Sequence, residues 1–144
     1  MNAPDYAPRG DLRHGEITEK IIGVFFEVYN ELGFGFLESV YHKAMLHVLA
    51  DAGLRAETQV HLPVFFRGHL VGDFFADIFV ERAVILELKA ADELDPAHNS
   101  QLLNYLKASP AEVGMLLNFG PKPRFKRLVF DNERKRSRPK IESA

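Results

Sequence analysis

Val71-Gly72-Asp73-Phe74-Phe75-Ala76-Asp77-Ile78-Phe79-Val80-Glu81-Arg82-Ala83-Val84-Ile85-Leu86-Glu87-Leu88-Lys89 carries two hydrophobic runs joined by a short polar link. Val71 to Val80 reads as one strand, Glu81-Arg82 as a turn, and Ala83 to Lys89 as the next strand, with Val84-Ile85-Leu86 at its centre. Side chains two apart on a strand share a face. Glu87 and Lys89 therefore project to one side, and Val84, Leu86 and Leu88 to the other. The tight link places Asp77 near Glu87 on the neighbouring strand. Two carboxylates that converge in a half-buried setting repel each other unless a cation lies between them. Oxygen ligands with open positions suit Mg2+ or Mn2+ better than zinc. Geometry alone leaves a second reading open, a plain salt bridge from Lys89 to Glu87 or Asp77.

Outward from this core, Gln59 to Phe66 reads as a strand and Arg67-Gly68-His69 as its turn, so three successive strands form an antiparallel meander. Upstream the period changes to that of helices. Ile17, Ile21, Phe25, Val28 and Leu32 mark one helix from Gly15 to Leu32, which Gly33-Phe34-Gly35 ends. Val40, Tyr41, Ala44, Val48 and Leu49 mark a second from Leu37 to Ala52. Downstream, Asp95-Pro96 opens a third helix, with Asp95 as its cap and Pro96 at a tolerated first-turn position. It runs to about Ala108. Val113 to Phe119 and Phe125 to Phe130 complete the pattern as strands. The predicted order is ααβββαββ, an α/β domain with a central mixed sheet flanked by helices.

The 144 residues suit one domain, expected over 14–131, with a flexible leader at 1–13 and a basic, unstructured tail at 132–144. No apolar run reaches the length of a membrane span and no h-region marks a signal peptide, so no membrane role and a cytoplasmic location are expected. With no cysteine, thiolate zinc sites and disulfides are excluded. Residues 121–144 hold nine Lys or Arg against three acids, whereas 1–120 hold nine against seventeen. An acidic body with a basic end suits a protein that gathers a metal cation and meets a polyanion. Arg124, Lys126 and Arg127 on the last strand are candidate phosphate contacts, without base specificity.

Asp77 followed by Glu87-Leu88-Lys89 at the end of the next strand resembles the D…(D/E)xK core of the PD-(D/E)xK nuclease superfamily. Gly35-Phe36-Leu37-Glu38-Ser39-Val40-Tyr41 is similar to the motif that names the GxxExxY family, a branch of that superfamily. Gln101 and Tyr105 resemble the QxxxY motif of its RecB-like exonuclease branch. The likeness covers residues 16–130, with Ala76 in place of the proline of the superfamily's name. It implies a restriction-endonuclease-like fold and a Mg2+- or Mn2+-dependent nuclease acting on DNA, possible as a homodimer. It further implies that Asp77, Glu87 and Glu38 bind the metal, that Lys89 orients the attacking water and offsets phosphate charge, and that Gln101 and Tyr105 hold a phosphate or steady Lys89.

Two alternatives remain open in the sequence. One is a non-catalytic nucleic-acid-binding or interaction module; the other is a metal-dependent hydrolase of a different phosphate ester or nucleotide. The histidines do not fall into a zinc-ligand spacing. His98, at the start of the third helix, lies nearest the expected site.

Overall fold

The computed structural model describes residues 14–135. The leader expected over 1–13 and the segment 136–144 lie outside the described residues. The chain forms α1 (Gly15–Leu32), α2 (Glu38–Asp51), β1 (Ala56–Phe66), β2 (His69–Val80), β3 (Val84–Lys89), α3 (Pro96–Lys107), β4 (Val113–Phe119) and β5 (Pro123–Val129). This is the ααβββαββ order read from hydrophobic period. Asn132–Arg134 add a single 3-10 turn, and Lys135 is buried. Its ammonium donates to the carbonyls of Ser109 and Ala111, so the chain stays packed past the start of the expected tail.

The five strands lie in chain order, antiparallel except for β3 and β4, which run parallel. Parallel neighbours need a crossover between them, and α3 supplies it. Two hydrophobic clusters separate the layers. Ile21, Phe25, Val28, Tyr41, Met45 and Leu49 of α1 and α2 pack against Val84, Leu86, Leu88 and Leu117. On the other face Leu102, Tyr105 and Leu106 of α3 pack against Ile85, Phe79 and Leu116. The strict alternation of β3 between these clusters is the alternation written in its sequence. Among the described residues, no helix is long and apolar enough to cross a membrane.

The turns correct two boundaries. His69 opens β2, because Arg67 and Gly68 both take positive φ (52° and 81°) and close a two-residue hairpin by themselves. β1 begins at Ala56, three residues before the expected start. Its extra residues pair with Val80 to Ile78, where Arg82 also donates to both carboxylate oxygens of Glu57 at 2.6 and 2.8 Å.

β1 and β2 are much longer than β3. From His69 to Ala76, β2 pairs with β1 alone, since the β2–β3 ladder runs only from Val80↔Val84 to Ile78↔Leu86. Beyond that point β3 continues to pair with β4 through Lys89↔Asn118. The second and third strands thus part at Asp77 and Glu87, and the opening between them positions the site.

Candidate active site

Where β2 leaves β3, the backbone groups of each strand need new partners. The two acids supply them reciprocally. The Asp77 N–H donates to Glu87 Oε2 at 3.0 Å, and the Leu88 N–H donates to Asp77 Oδ2 at 2.9 Å. Each carboxylate thereby closes the gap on the opposite strand, and each keeps a second oxygen outside that bond.

A backbone irregularity sets Asp77 in this place. Phe74 and Ala76 pack in the cluster under α3, whereas Ile78 and Val80 belong to the cluster under α1 and α2. Residues two apart keep one face on a regular strand, so the strand changes face at Asp77. Opposite it, Gln59 takes φ 50°, and the pairs Thr58↔Ile78 and Val60↔Ala76 flank a position without a ladder pair. A non-glycine residue in the left-handed region inside a strand is costly and concentrates at functional positions. Sequence reasoning missed Gln59, because no glycine marks the distortion.

Glu87 is 3 % exposed, and burial followed by the neighbouring charge of Asp77 pushes its carboxyl up to about 8. The backbone bond from Asp77 and the charge of Lys89 act in the opposite direction. Lys89, at the end of β3, donates from Nζ to Gln101 Oε1 at 3.2 Å, and Gln101 Nε2 donates to the Tyr105 hydroxyl at 3.2 Å. The amide of α3 therefore links the lysine to the phenol. Burial, then the charges of Glu87 and Asp77, raises Tyr105 to about 12, so the hydroxyl keeps its proton. That oxygen accepts from Gln101, so the phenol keeps its own O–H as a donor.

Glu38 is the first residue of α2 and is exposed. Its Oε2 accepts from the Ala90 N–H at 3.3 Å, just past the end of β3. It lines, with His42, Thr58, Gln59 and Asp77, a groove of about 310 Å3 on the α2 side of the sheet. Tyr41, one turn further along α2, holds the preceding loop: its hydroxyl donates to the Gly33 carbonyl at 2.7 Å and accepts from the Phe36 N–H at 3.2 Å. His98 is turned to another task. Its Nδ1 accepts from the Asp95 N–H while Asp95 Oδ1 accepts from the Ala97 N–H, which closes the cap of α3.

Arg124 and Lys126 stand in register with the site. The rows Lys89–Asn118–Arg124 and Glu87–Leu116–Lys126 cross β3, β4 and β5. Cross-strand partners share a face, so both cations lie exposed on the face that bears Glu87 and Lys89. Arg127 does not join them. It lies on the opposite face with Phe125 and Val129 and is 7 % exposed, which removes it from a surface phosphate cluster.

Asn118 has a role that the sequence did not announce. It is 1 % exposed, and it accepts from the Ala91 N–H and donates to the Ala91 carbonyl, both at 3.0 Å. Gly120 approaches the same residue so closely that a Cβ there would lie 2.4 Å from the Ala91 carbonyl oxygen. The loop after Lys89 is thus clamped to the end of β4. Asn118→Ala is expected to destabilise the protein by about 2–3 kcal/mol, since two part-buried backbone groups lose their partner. Urea unfolding of the variant against wild type measures this, and a change under about 0.5 kcal/mol would contradict the clamp.

The family description "PD-(D/E)XK nuclease superfamily" matches residues 15–128, which contain Glu38, Asp77, Glu87, Lys89, Gln101, Tyr105, Arg124 and Lys126. No curated protein matches the chain. Among solved structures, the crystal structure of SSO0001 is similar at TM-score 0.54 and 22 % identity, over 64 % of this chain and 49 % of that one. This chain spans about half the length of that protein, and the likeness is one of fold.

Proposed function

The chain belongs to the PD-(D/E)XK nuclease superfamily, and from that membership we propose that it hydrolyses phosphodiester bonds of DNA with a divalent cation held by Asp77 and Glu87. The observation that carries the reading is the pair of carboxylates in the opening between β2 and β3, beside the Lys89–Gln101–Tyr105 chain. Within the superfamily, Gly35 to Tyr41 and the Gln101/Tyr105 pair support the GxxExxY branch and a RecB-like helix.

The donor set fits Mg2+ or Mn2+. Asp77 and Glu87 offer hard oxygen ligands, and each has one oxygen outside its backbone bond. A buried carboxyl raised to about 8 by burial and its neighbour marks a place where a cation would relieve both burial and repulsion. Among the described residues no three acidic or histidine side chains already converge. Glu38, whose Oε2 accepts from the Ala90 N–H at the same strand end, would supply a third carboxylate. A cation held there would activate a water and offset charge on the phosphoryl oxygens.

The chain's own side chains do the rest by position and charge. Lys89 places a cation beside the scissile phosphate and offsets the negative charge that builds on it. Tyr105, kept as a phenol, donates to a non-bridging oxygen, and Gln101 fixes both groups in one orientation. Arg124 and Lys126 hold the neighbouring backbone phosphates on the same sheet face. Hydrolysis adds water across one P–O bond and yields a phosphate monoester and a hydroxyl.

The test is incubation of single-stranded and duplex DNA, and of RNA, with purified protein and Mg2+ or Mn2+. Cleavage that stops on chelation is expected, with calorimetric Mn2+ binding that Glu87→Ala removes. Metal-independent binding without cleavage of any form would replace this reading with the non-catalytic one.

A further inference from the structure

A second recess lies on the α3 side of the molecule, beyond Tyr105. The face of α3 that presents Gln101 and Tyr105 continues through Asn104 and Ala108, three and four residues apart as one helix face requires. There it meets the free part of the β1–β2 hairpin, and a cleft of about 480 Å3 opens between them. Its walls include Val64, Phe74 and Phe130, and its rim carries Lys107 and Arg134. Phe74 separates it from the site by one side chain, with its ring centroid 5.5 Å from that of Tyr105.

The rim has a definite chemistry. The Lys107 ammonium lies 5.6 Å from the centre of the Phe130 ring and the Arg134 guanidinium 4.7 Å from it. Two cations thus share one aromatic ring at the mouth of an apolar recess. Among the described residues neither has a carboxylate within ion-pair distance. Gly72 keeps the floor open: a Cβ there would press on Val64 Cβ at 3.2 Å. An anion with a flat, apolar body satisfies every part of this arrangement. A nucleotide unit has that form, with a base for the recess and a phosphate for the rim.

We infer that this cleft receives one unpaired base of the substrate strand, adjacent to the cleaved phosphate, while Lys107 and Arg134 hold its phosphate. The inference rests on the phosphodiester reading and narrows it to strands with unpaired bases. Gln101 and Lys107 are six residues apart, about 9 Å along the helix, which is the scale of one or two nucleotides of an extended strand. Volume argues for a single base: a recess of about 480 Å3 is of ordinary small-ligand size and leaves no space for a stacked duplex end.

The test is fluorescence anisotropy of a labelled short oligothymidylate with the full chain in EDTA, where no cleavage occurs. The same oligonucleotide annealed to oligoadenylate serves as the duplex. Wild type should bind the single strand at least roughly tenfold more tightly than the duplex. Lys107→Glu combined with Arg134→Glu should weaken single-strand binding at least about tenfold, through lost phosphate contacts. Asn104→Trp, at an exposed helical position on the cleft wall, should fill the recess and weaken it with an unchanged melting temperature. The inference is overturned if wild type does not bind the single strand, if it binds duplex equally well, or if both variants bind within twofold of wild type. Cleavage failing while binding follows the expected pattern would sink hydrolysis and leave the cleft. Cleavage persisting with variant-insensitive binding would do the reverse.

Discussion

Replacing Lys89 with alanine is expected to lower the rate of phosphodiester cleavage by roughly 10²–10⁴-fold, with the fold intact. The side chain is half-buried at the end of a strand whose other residues are fully packed, and it is tied to the protein through one amide on α3. Truncation therefore removes a charge from the reacting centre without opening the core. The loss should fall on kcat more than on KM, because Arg124 and Lys126 continue to bind the backbone. Gln101→Ala separates position from charge. It leaves the ammonium in place but cuts its link to Tyr105, so a smaller loss is expected, about 10-fold or more, from misplacement alone. Single-turnover rates with saturating Mn2+ measure both. Equal losses for the two variants would show that Lys89 acts only through its contact with Gln101. A Lys89→Ala protein within threefold of wild type would remove the lysine from the mechanism.

In the absence of divalent cation, stability is expected to fall as pH rises from about 4.5 to about 8, with Glu87 as the source. The sign follows from proton uptake. Its carboxyl has the ordinary value of 4.5 unfolded and about 8 folded, so between these values the folded state binds more protons. Stability from this group is complete below about 4.5 and is lost as pH passes through about 8. The loss is on the order of a few kcal/mol, since each tenfold change in proton affinity corresponds to about 1.4 kcal/mol. Glu87→Gln cannot ionise and keeps an oxygen for the Asp77 N–H, so the slope should flatten and the variant should be the more stable protein at pH 8. It should also be inactive. Added Mn2+ should restore much of the wild-type stability at high pH and little of the variant's. Urea midpoints across that range decide the matter. A wild-type curve parallel to that of Glu87→Gln would mean that the buried carboxyl is not the source.

Asp77, Glu87 and Lys89 were legible because their geometry is local. A short turn and a period of two suffice to set two strands side by side and to turn Glu87 and Lys89 to one face. Gln101 and Tyr105 were legible as a pair because four residues make about one helical turn. Contact between the two sets was implied by the family resemblance alone and not by local geometry, since it depends on α3 crossing back over β3. Arg127 was misplaced for the same kind of reason: grouped by charge with Arg124 and Lys126, it falls on the other face once β5 takes its register.

The sequence by itself determined the elements, their order, and the pairing of the Asp77 and Glu87 strands. Those follow from hydrophobic period, caps and short links, all of them interactions within about ten residues of chain. Only the tertiary structure decided where β2 parts from β3, which depends on β1 and β2 outrunning β3 and on the left-handed turn at Gln59. It also decided that Asn118 clamps the loop after Lys89, that Lys135 is buried beneath the end of α3, and that a cleft lies beside Tyr105. Each of these joins residues far apart in the chain. Side-chain type records what a residue can do locally, but the partner that uses it is supplied by packing and strand register.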